Sequence, residues 1–396
     1  MALASSNRAQ VRYIAESTFG VTPGTGNPKE LRVTGETLDF GITTETSKEI
    51  RSDRQTTDQV QTGASASGGL NFELSYAEFD ELLEAAIQGT WSEYGTGGTG
   101  DPLSLDLDSS AGTITAGVAP TGADAFSNLE VGQWIRLTAP SDAADGAIVR
   151  IAEVTSTTVL TVDTETPIPG SGTRTVASST ITSSSLKNGV TQRSFTVEKE
   201  FADVGQFFAF RGMTVSEAML DFATGQILTG SFSFMGKDSV QDTSTTLPGV
   251  PVASQAYDVM NAVSGLSNLM EAGVQMSGQY INSLSLSINN GLREQNAIGT
   301  LGAVSIAAGT LNVSGNIEMY LADAAIYNKF RNNTATSLTF AVRDGSGFGY
   351  VFVLPKIKFS QMSSNADGLD SDVMLSGSYQ ALMDATTQKT ILVYRL

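Results

Sequence analysis

Residues 69–76 read Gly69-Leu-Asn-Phe-Glu-Leu-Ser-Tyr76, and residues 310–320 read Thr310-Leu-Asn-Val-Ser-Gly-Asn-Ile-Glu-Met-Tyr320. In both, large apolar residues alternate with polar or small ones, the period of a β-strand with one buried face. Each strand runs directly into a helical pattern. Phe79, Leu82, Leu83, Ala86 and Ile87 recur at i, i+3, i+4, i+7 and i+8 and predict an amphipathic helix over 77–88. Its counterpart, Leu321 to Phe330, is built of good helix formers around Ala324, Ala325 and Ile326. Both helices are expected to pack as core against a sheet.

Working outward, the same order of features recurs. Upstream lie Leu38-Asp-Phe-Gly-Ile42 and Leu284-Ser-Leu-Ser-Ile288, again alternating, each separated from its next strand by a long polar gap. Downstream, Gly205-Gln-Phe-Phe-Ala-Phe210 leads to Leu228-Thr-Gly-Ser-Phe-Ser-Phe234, and Gly349-Tyr-Val-Phe-Val-Leu354 leads to Leu375-Ser-Gly-Ser-Tyr379. Three matched features in one order predict a β-rich unit encoded twice, with one helix per copy.

The copies differ by an insertion. The first helix ends near Gln88 and its unit resumes only near Ser194, whereas Phe330 and Leu338 are almost adjacent. The extra segment opens with Gly95-Thr-Gly-Gly-Thr-Gly100 and ends in the Ser/Thr-rich stretch Ser178 to Ser185, both read as linkers. Between them, Gln133-Trp-Ile-Arg-Leu137, a turn at Asp145-Gly146, Ile148-Val-Arg-Ile151 and Thr158-Val-Leu-Thr-Val162 predict a small sandwich or barrel. The segment 92–188 holds eleven acidic and four basic residues and is expected on the outside of any assembly. The expected division is an arm over 1–29, a first unit over 30–91 and 189–245, an inserted all-β domain over 92–188, a linker over 246–277 and a second unit over 278–396.

Composition excludes several functions. The 396 residues carry 41 acidic and 23 basic side chains, a formal charge of −18, with no histidine and no cysteine. A chain this acidic lacks the clustered Lys and Arg that grip nucleic acid through counterion release. Disulfides, thiol chemistry, zinc ribbons and every histidine-dependent triad are absent. No stretch approaches a membrane span, and Met1 to Gln10 has no apolar core of a secretory signal.

The remaining chemical motifs are weak. Gly95-x-Gly-x-x-Gly100 matches the dinucleotide fingerprint in letters, but Asp101-Pro102 follows where a helix N-terminus would have to cradle pyrophosphate. Gly345-Ser-Gly-Phe-Gly349 reads as a turn between strands. Asp370 with Asp372, or Asp53 with Asp58, could in principle serve a two-carboxylate hydrolase, and Asp106/Asp108 or Asp367/Asp370/Asp372 could offer oxygen ligands to Ca²⁺. Solvated loop charge is the better reading of each carboxylate pair, neither acidic group fits the EF-hand spacing, and no cofactor, metal or catalytic residue is assigned. The segment Glu45 to Asp58 says more. It packs Glu45, Lys48, Glu49, Arg51, Asp53, Arg54 and Asp58 together in a chain poor in arginine, a pattern suited to forked ion pairs at a subunit interface or simply to a solvated loop.

With these residues in view, the chain resembles the major tail tube proteins of long-tailed, non-contractile bacteriophages. The likeness is carried by Ser5-Ser-Asn-Arg-Ala-Gln-Val-Arg-Tyr-Ile-Ala-Glu-Ser-Thr-Phe-Gly-Val-Thr-Pro23 and by the run from Glu30 to Ile87, including Glu49-Ile-Arg-Ser-Asp-Arg-Gln55. It implies a mainly β fold: two tandem tail-tube-type sandwich or barrel domains, each with one α-helix, plus the inserted all-β domain. It further implies stacked rings in which bent sheets close into an inner barrel, removing their exposed edges. The ring would be a trimer with pseudo-sixfold symmetry, a hexamer being the other possibility. Other tail proteins would meet the tube ends, and the particle would be made in the host cytoplasm without membrane insertion. Leu38, Phe40, Ile42, Leu70, Phe72 and Leu74 would then pack on the helix. Asp39, Gly41, Asn71, Glu73 and Ser75 would face the lumen, as would Ser285, Ser287, Asn312, Ser314, Asn316 and Glu318, with Asp221 and Asp372 joining them. Duplex DNA would slide past this acidic wall without specific binding. Glu45 to Asp58 and the N-terminal arm would join ring to ring. An adhesin-like β-sandwich binding a cell surface is the competing reading.

Overall fold

A computed structural model describes residues 3–95, 103–122, 125–262, 266–276, 278–365 and 368–396. The first copy consists of β1 (Ala9–Ala15), β2 (Asp39–Thr46), β3 (Gln59–Glu73), α1 (Asp80–Ile87), β4 (Phe195–Phe201), β5 (Gln206–Ala223) and β6 (Thr229–Gly236). The second repeats it in order: β7 (Leu266–Glu271), β8 (Ile281–Asn289), β9 (Asn312–Tyr320), α2 (Ala325–Arg331), β10 (Thr336–Arg343), β11 (Gly349–Asn365) and β12 (Met374–Ala381).

The pairing is the same in both halves. Neighbours run β2–β3–β6–β5 in the first and β8–β9–β12–β11 in the second, all antiparallel. The N-terminal half of β5 pairs with β4, as that of β11 does with β10. In turn β1 lies on β4 and β7 on β10. Strands β1 and β7, which fall in the stretches read from sequence as arm and linker, therefore sit at matching places. Between the halves β5 pairs with β8, Glu217 to Ala223 against Asn289 to Ser283. Eight strands thus form one sheet from β2 to β11.

Alternation decides what each strand buries. Leu70, Phe72 and Leu74 are each 1% exposed and meet Phe79, Leu82, Leu83, Ala86 and Ile87 of the helical segment. Asp80 and Glu81 in the first turn of α1 suit the positive helix end, and Gln88 closes the helix in the left-handed region at φ 53°. Phe72 lies over Phe79 at 4.1 Å between ring centroids. One core runs through both halves: Phe222 of β5 meets Phe340 of β10 edge-on at 5.1 Å, and Phe340 stacks on Phe352 of β11. Two expectations fail here. Ile42 is exposed, because β2 and β3 leave the core as a hairpin before it is reached, whereas Phe40 is half-buried and still packs on the core. Ala324 and Ala325 are exposed, and Ile326 is the one fully buried residue of α2.

The segment between α1 and β4 has its own core, in which Leu107, Ile114, Phe126, Ile135, Leu137, Leu160 and Ile181 are essentially inaccessible. Its strands include Trp134–Thr138, Ile148–Val154 and Val159–Val162, near the expected places. The stretch Ser178 to Ser185 is no linker. It belongs to a strand, Thr173–Lys187, in which Ser179, Ser183, Ser184 and Ser185 are buried. That strand pairs in succession with Leu103–Asp108, Trp134–Thr138, Trp91–Gly95 and Leu392–Arg395. Strand Leu392–Arg395 also pairs with β11. Trp134 and Ile148 pack against Ala341, Val351 and Tyr394, which seats the insertion on the second half. Of the glycine run read as the opening linker, residues 96–100 lie outside the described residues.

A polar network locks the halves together. Tyr350 Oη donates to Asp80 Oδ1 at 2.6 Å and accepts from Ala77 N–H, while Arg395 pairs with both Asp80 and Glu93. Burial raises the Asp80 carboxyl above the usual aspartate range, with Arg395 and Tyr350 pulling the other way. Buried Asn290, just after β8, donates to the carbonyls of Ala86 and Val215 in the first half.

Candidate functional surface: the polar face of the joined sheet

Residues directly opposite in an antiparallel ladder share a face, so the register assigns each side chain without further assumption. One row runs Glu73, Thr229, Asp221, Ser285. A second crosses Asn71, Ser231, Met219, Ser287, Ser314, Gln380 and Lys358. Asn316 lies opposite Ser378, Glu318 opposite both Ser283 and Ser376, and Asp39 opposite Ser67. Eleven of the thirteen residues expected on a lumen wall therefore share the face turned away from the core: Asp39, Gly41, Asn71, Glu73, Asp221, Ser285, Ser287, Asn312, Ser314, Asn316 and Glu318.

Ser75 and Asp372 are the exceptions. Ser75 is inaccessible, because β3 ends at Glu73 and Ser75 instead bridges to Val259 before the turn into α1. Asp372 is exposed, outside the strands. Glu217 and Lys358 were not expected on this surface. Glu217 follows an irregularity in the β5–β6 ladder that shifts the alternation. For Lys358 a signal existed, since Lys356-Ile-Lys-Phe359 alternates like any half-buried strand.

Short hydrogen bonds stiffen the face. Ser287 Oγ donates to Glu217 at 2.6 Å, Ser378 Oγ to Asn316 at 2.8 Å, Gln380 to Asn312 at 2.6 Å and Asn282 to Glu318 at 2.8 Å. Five carboxylates stand here: Asp39, Glu73, Glu217, Asp221 and Glu318. Among the described residues of the seven ladders joining β2 to β11, Lys358 is the only cation. Burial holds the Asp221 carboxyl above the usual aspartate range.

A profile of the family described as phage tail tube protein matches residues 6–381. The chain belongs to the phage tail tube protein family. A search of curated proteins gives no match. Membership makes this a structural component of a virion tail, mainly β, whose family role is self-assembly into a tube with other tail proteins. No described helix is long and apolar enough to cross a membrane.

The second group of expected residues in this tail tube protein lies at the hairpin end. Strand β2 continues to Thr46 and β3 begins at Gln59, so Glu45 is in a strand and the loop proper is 47–58. Lys48, Glu49, Arg51, Asp53, Arg54 and Asp58 are exposed, as is Ile50. Arg51 forks onto Asp53 at 3.0 and 2.8 Å within the loop rather than onto another element, and Thr57 donates to Glu49 at 3.0 Å. Arg54 takes a left-handed φ of 57°. Asp106 and Asp108, weighed as metal ligands, accept hydrogen bonds from Thr175 and Thr173 of the long inserted strand, and Asp108 also accepts from Ser110.

Proposed function

We propose that three chains close into a ring whose inner wall is a 24-stranded barrel, each chain giving the eight strands from β2 to β11. Stacked rings would form the tail tube of a long-tailed, non-contractile phage, assembled in the bacterial cytoplasm, through which duplex DNA passes into the host. The single observation that carries this reading is the continuous polar face whose ladders hold five carboxylates and one lysine, ending at two sheet edges that have no strand partner among the described residues. Among these residues edge β2 pairs only with β3, and the C-terminal half of β11 only with β12. Open edges of this kind invite strand addition, and a closed ring removes them.

The dimensions agree with passage of a duplex. With strands about 4.8 Å apart and tilted by roughly 40°, 24 strands give a backbone diameter of about 50 Å. A wall rich in carboxylates and hydroxyls repels phosphate, so DNA slides rather than sticks. On this reading residues 92–188 form an outer domain, behind the core, and the exposed loop 47–58 reaches the neighbouring ring.

Electron microscopy of the purified protein tests it. Tubes whose cross-section shows three chains in a pseudo-sixfold ring are expected. A chain that stays monomeric under all conditions, or a ring of six chains each giving four strands, would overturn the proposal.

A further inference from the structure

We infer that neighbouring chains join through a defined antiparallel pairing of β11 with the β2 edge, in which Lys358 of one chain stands opposite Asp39 of the next. This rests on the ring reading above and adds to it a partner residue for each edge. The internal seam between β5 and β8 supplies the template. The same third-strand-to-first-strand pairing, moved from within the chain to between chains, joins β11 to the segment that holds the place of β8.

The register fixes the residues. Gly230 and Gly377 hold the same place in β6 and β12, and they face Phe72 and Ile317 respectively. Three positions further along lie Ser233 and Gln380, whose partners are Glu217 in β5 and Lys358 in β11. Five positions before Phe72 and Ile317 lie Ser67 and Asn312, whose partners are Asp39 and Asn289. Within the chain Glu217 stands opposite Asn289. Between chains the corresponding pair is Lys358 and Asp39.

The side chains fit this assignment. Lys358 has no hydrogen bond or ion pair among the described residues, although it is half-buried and the only cation in the seven ladders that join β2 to β11. Asp39 turns back on its own strand and accepts from Phe40 N–H at 2.8 Å, as a carboxylate does where no neighbouring strand satisfies that donor. At Leu38 the N–H donates to Glu36 and the carbonyl accepts from Lys199, so side chains guard the edge until a strand replaces them. The charges also set direction. Two β2 edges would bring Asp39 against Asp39 and two β11 edges Lys358 against Lys358, whereas β11 on β2 brings opposite charges together. Repelling the isologous pairs leaves the head-to-tail contact, which closes into a ring.

The absence of cysteine makes a clean test possible. In the full chain, Asp39→Cys with Lys358→Cys is expected to give, on oxidation, covalent dimers and trimers, while each single cysteine variant gives no ladder. Lys358→Glu and Asp39→Lys should each lower the assembled fraction by about tenfold or more, and the double reversal should restore it. Circular dichroism of the unassembled chain checks that each variant still folds, as expected of surface changes. If the parent chain forms rings but the cysteines do not cross-link and the reversals are harmless, this pairing is wrong and the ring reading stands. If the parent chain forms no ring or tube, both fall.

Discussion

The two copies share seven elements in the same order and the same pairing, yet they spend the link between their first two strands differently. In the first copy β2 and β3 run outward as a hairpin whose tip, 47–58, is exposed almost throughout. In the second, the chain from Asn290 to Leu311 folds back across the molecule: Leu301 accepts from Ala64 N–H of β3, Val304 closes a short hairpin on Gln295, and Ala303 and Ile306 are buried. The helices diverge likewise. Five residues of α1 are buried against one of α2. A duplicated scaffold keeps the contacts that build the shared sheet, while its connections and outer packing are free to take separate roles. One loop is left for a neighbour, and the other holds the first hairpin in place.

Substitutions at matched places sharpen that contrast. The largest effect is expected at the helices. Phe79→Ala removes a ring packed on Phe72 and Phe232 and should cost about 4 kcal/mol, against about 2 kcal/mol for the half-buried Phe330 of α2. Urea midpoints of the unassembled chain measure both, and equal shifts would remove the difference in packing. Next come the paired glycines. A Cβ at Gly230 would lie 2.5 Å from the Phe72 ring and 2.8 Å from the Met219 carbonyl, whereas at Gly377 the nearest atom is the mobile end of Met362 at 2.9 Å. Gly230→Ala should therefore cost about 2 kcal/mol and Gly377→Ala about 1 kcal/mol or less. The smallest effect concerns Asp221, whose place in the second copy is taken by the uncharged Ser363. Its carboxyl is raised in the fold, so stability is lost as pH rises from below the ordinary aspartate value through the folded one, and the loss is complete at pH 7. Asp221→Asn should raise the urea midpoint slightly at pH 7 and leave it unchanged below about pH 3.9.

Much of this was legible in the sequence, for reasons that also mark where reading stops. Alternation at 38–42, 70–74, 284–288 and 310–320 revealed the sheet and, with it, ten residues of its polar face, because a strand with one buried side carries its own face assignment. It misled at Ser75, two residues past the end of β3, and at Ile42, where the strand continues but the core beneath it does not. Strand Thr173–Lys187 was invisible because four of its seven buried positions are filled by serine, which in sequence reads as a linker. The open edges, and with them the pairing of Lys358, depend on which strands lie side by side, a relation between residues more than a hundred apart that no local pattern carries.

The long serine-lined strand has a consequence for how the molecule is made. Its last residues, Ser184 to Lys187, pair with Leu392–Arg395, and the arginine of that short strand reaches back to the first helix at Asp80. Partners so distant along the chain close slowly, since the entropy of a long loop must be overcome before any contact rewards it. On the ribosome the first copy can gather its sheet, and its seam to β8 can form, before this short strand exists. The bridge that ties the serine-lined strand to β11 has to wait until Leu392–Arg395 has emerged.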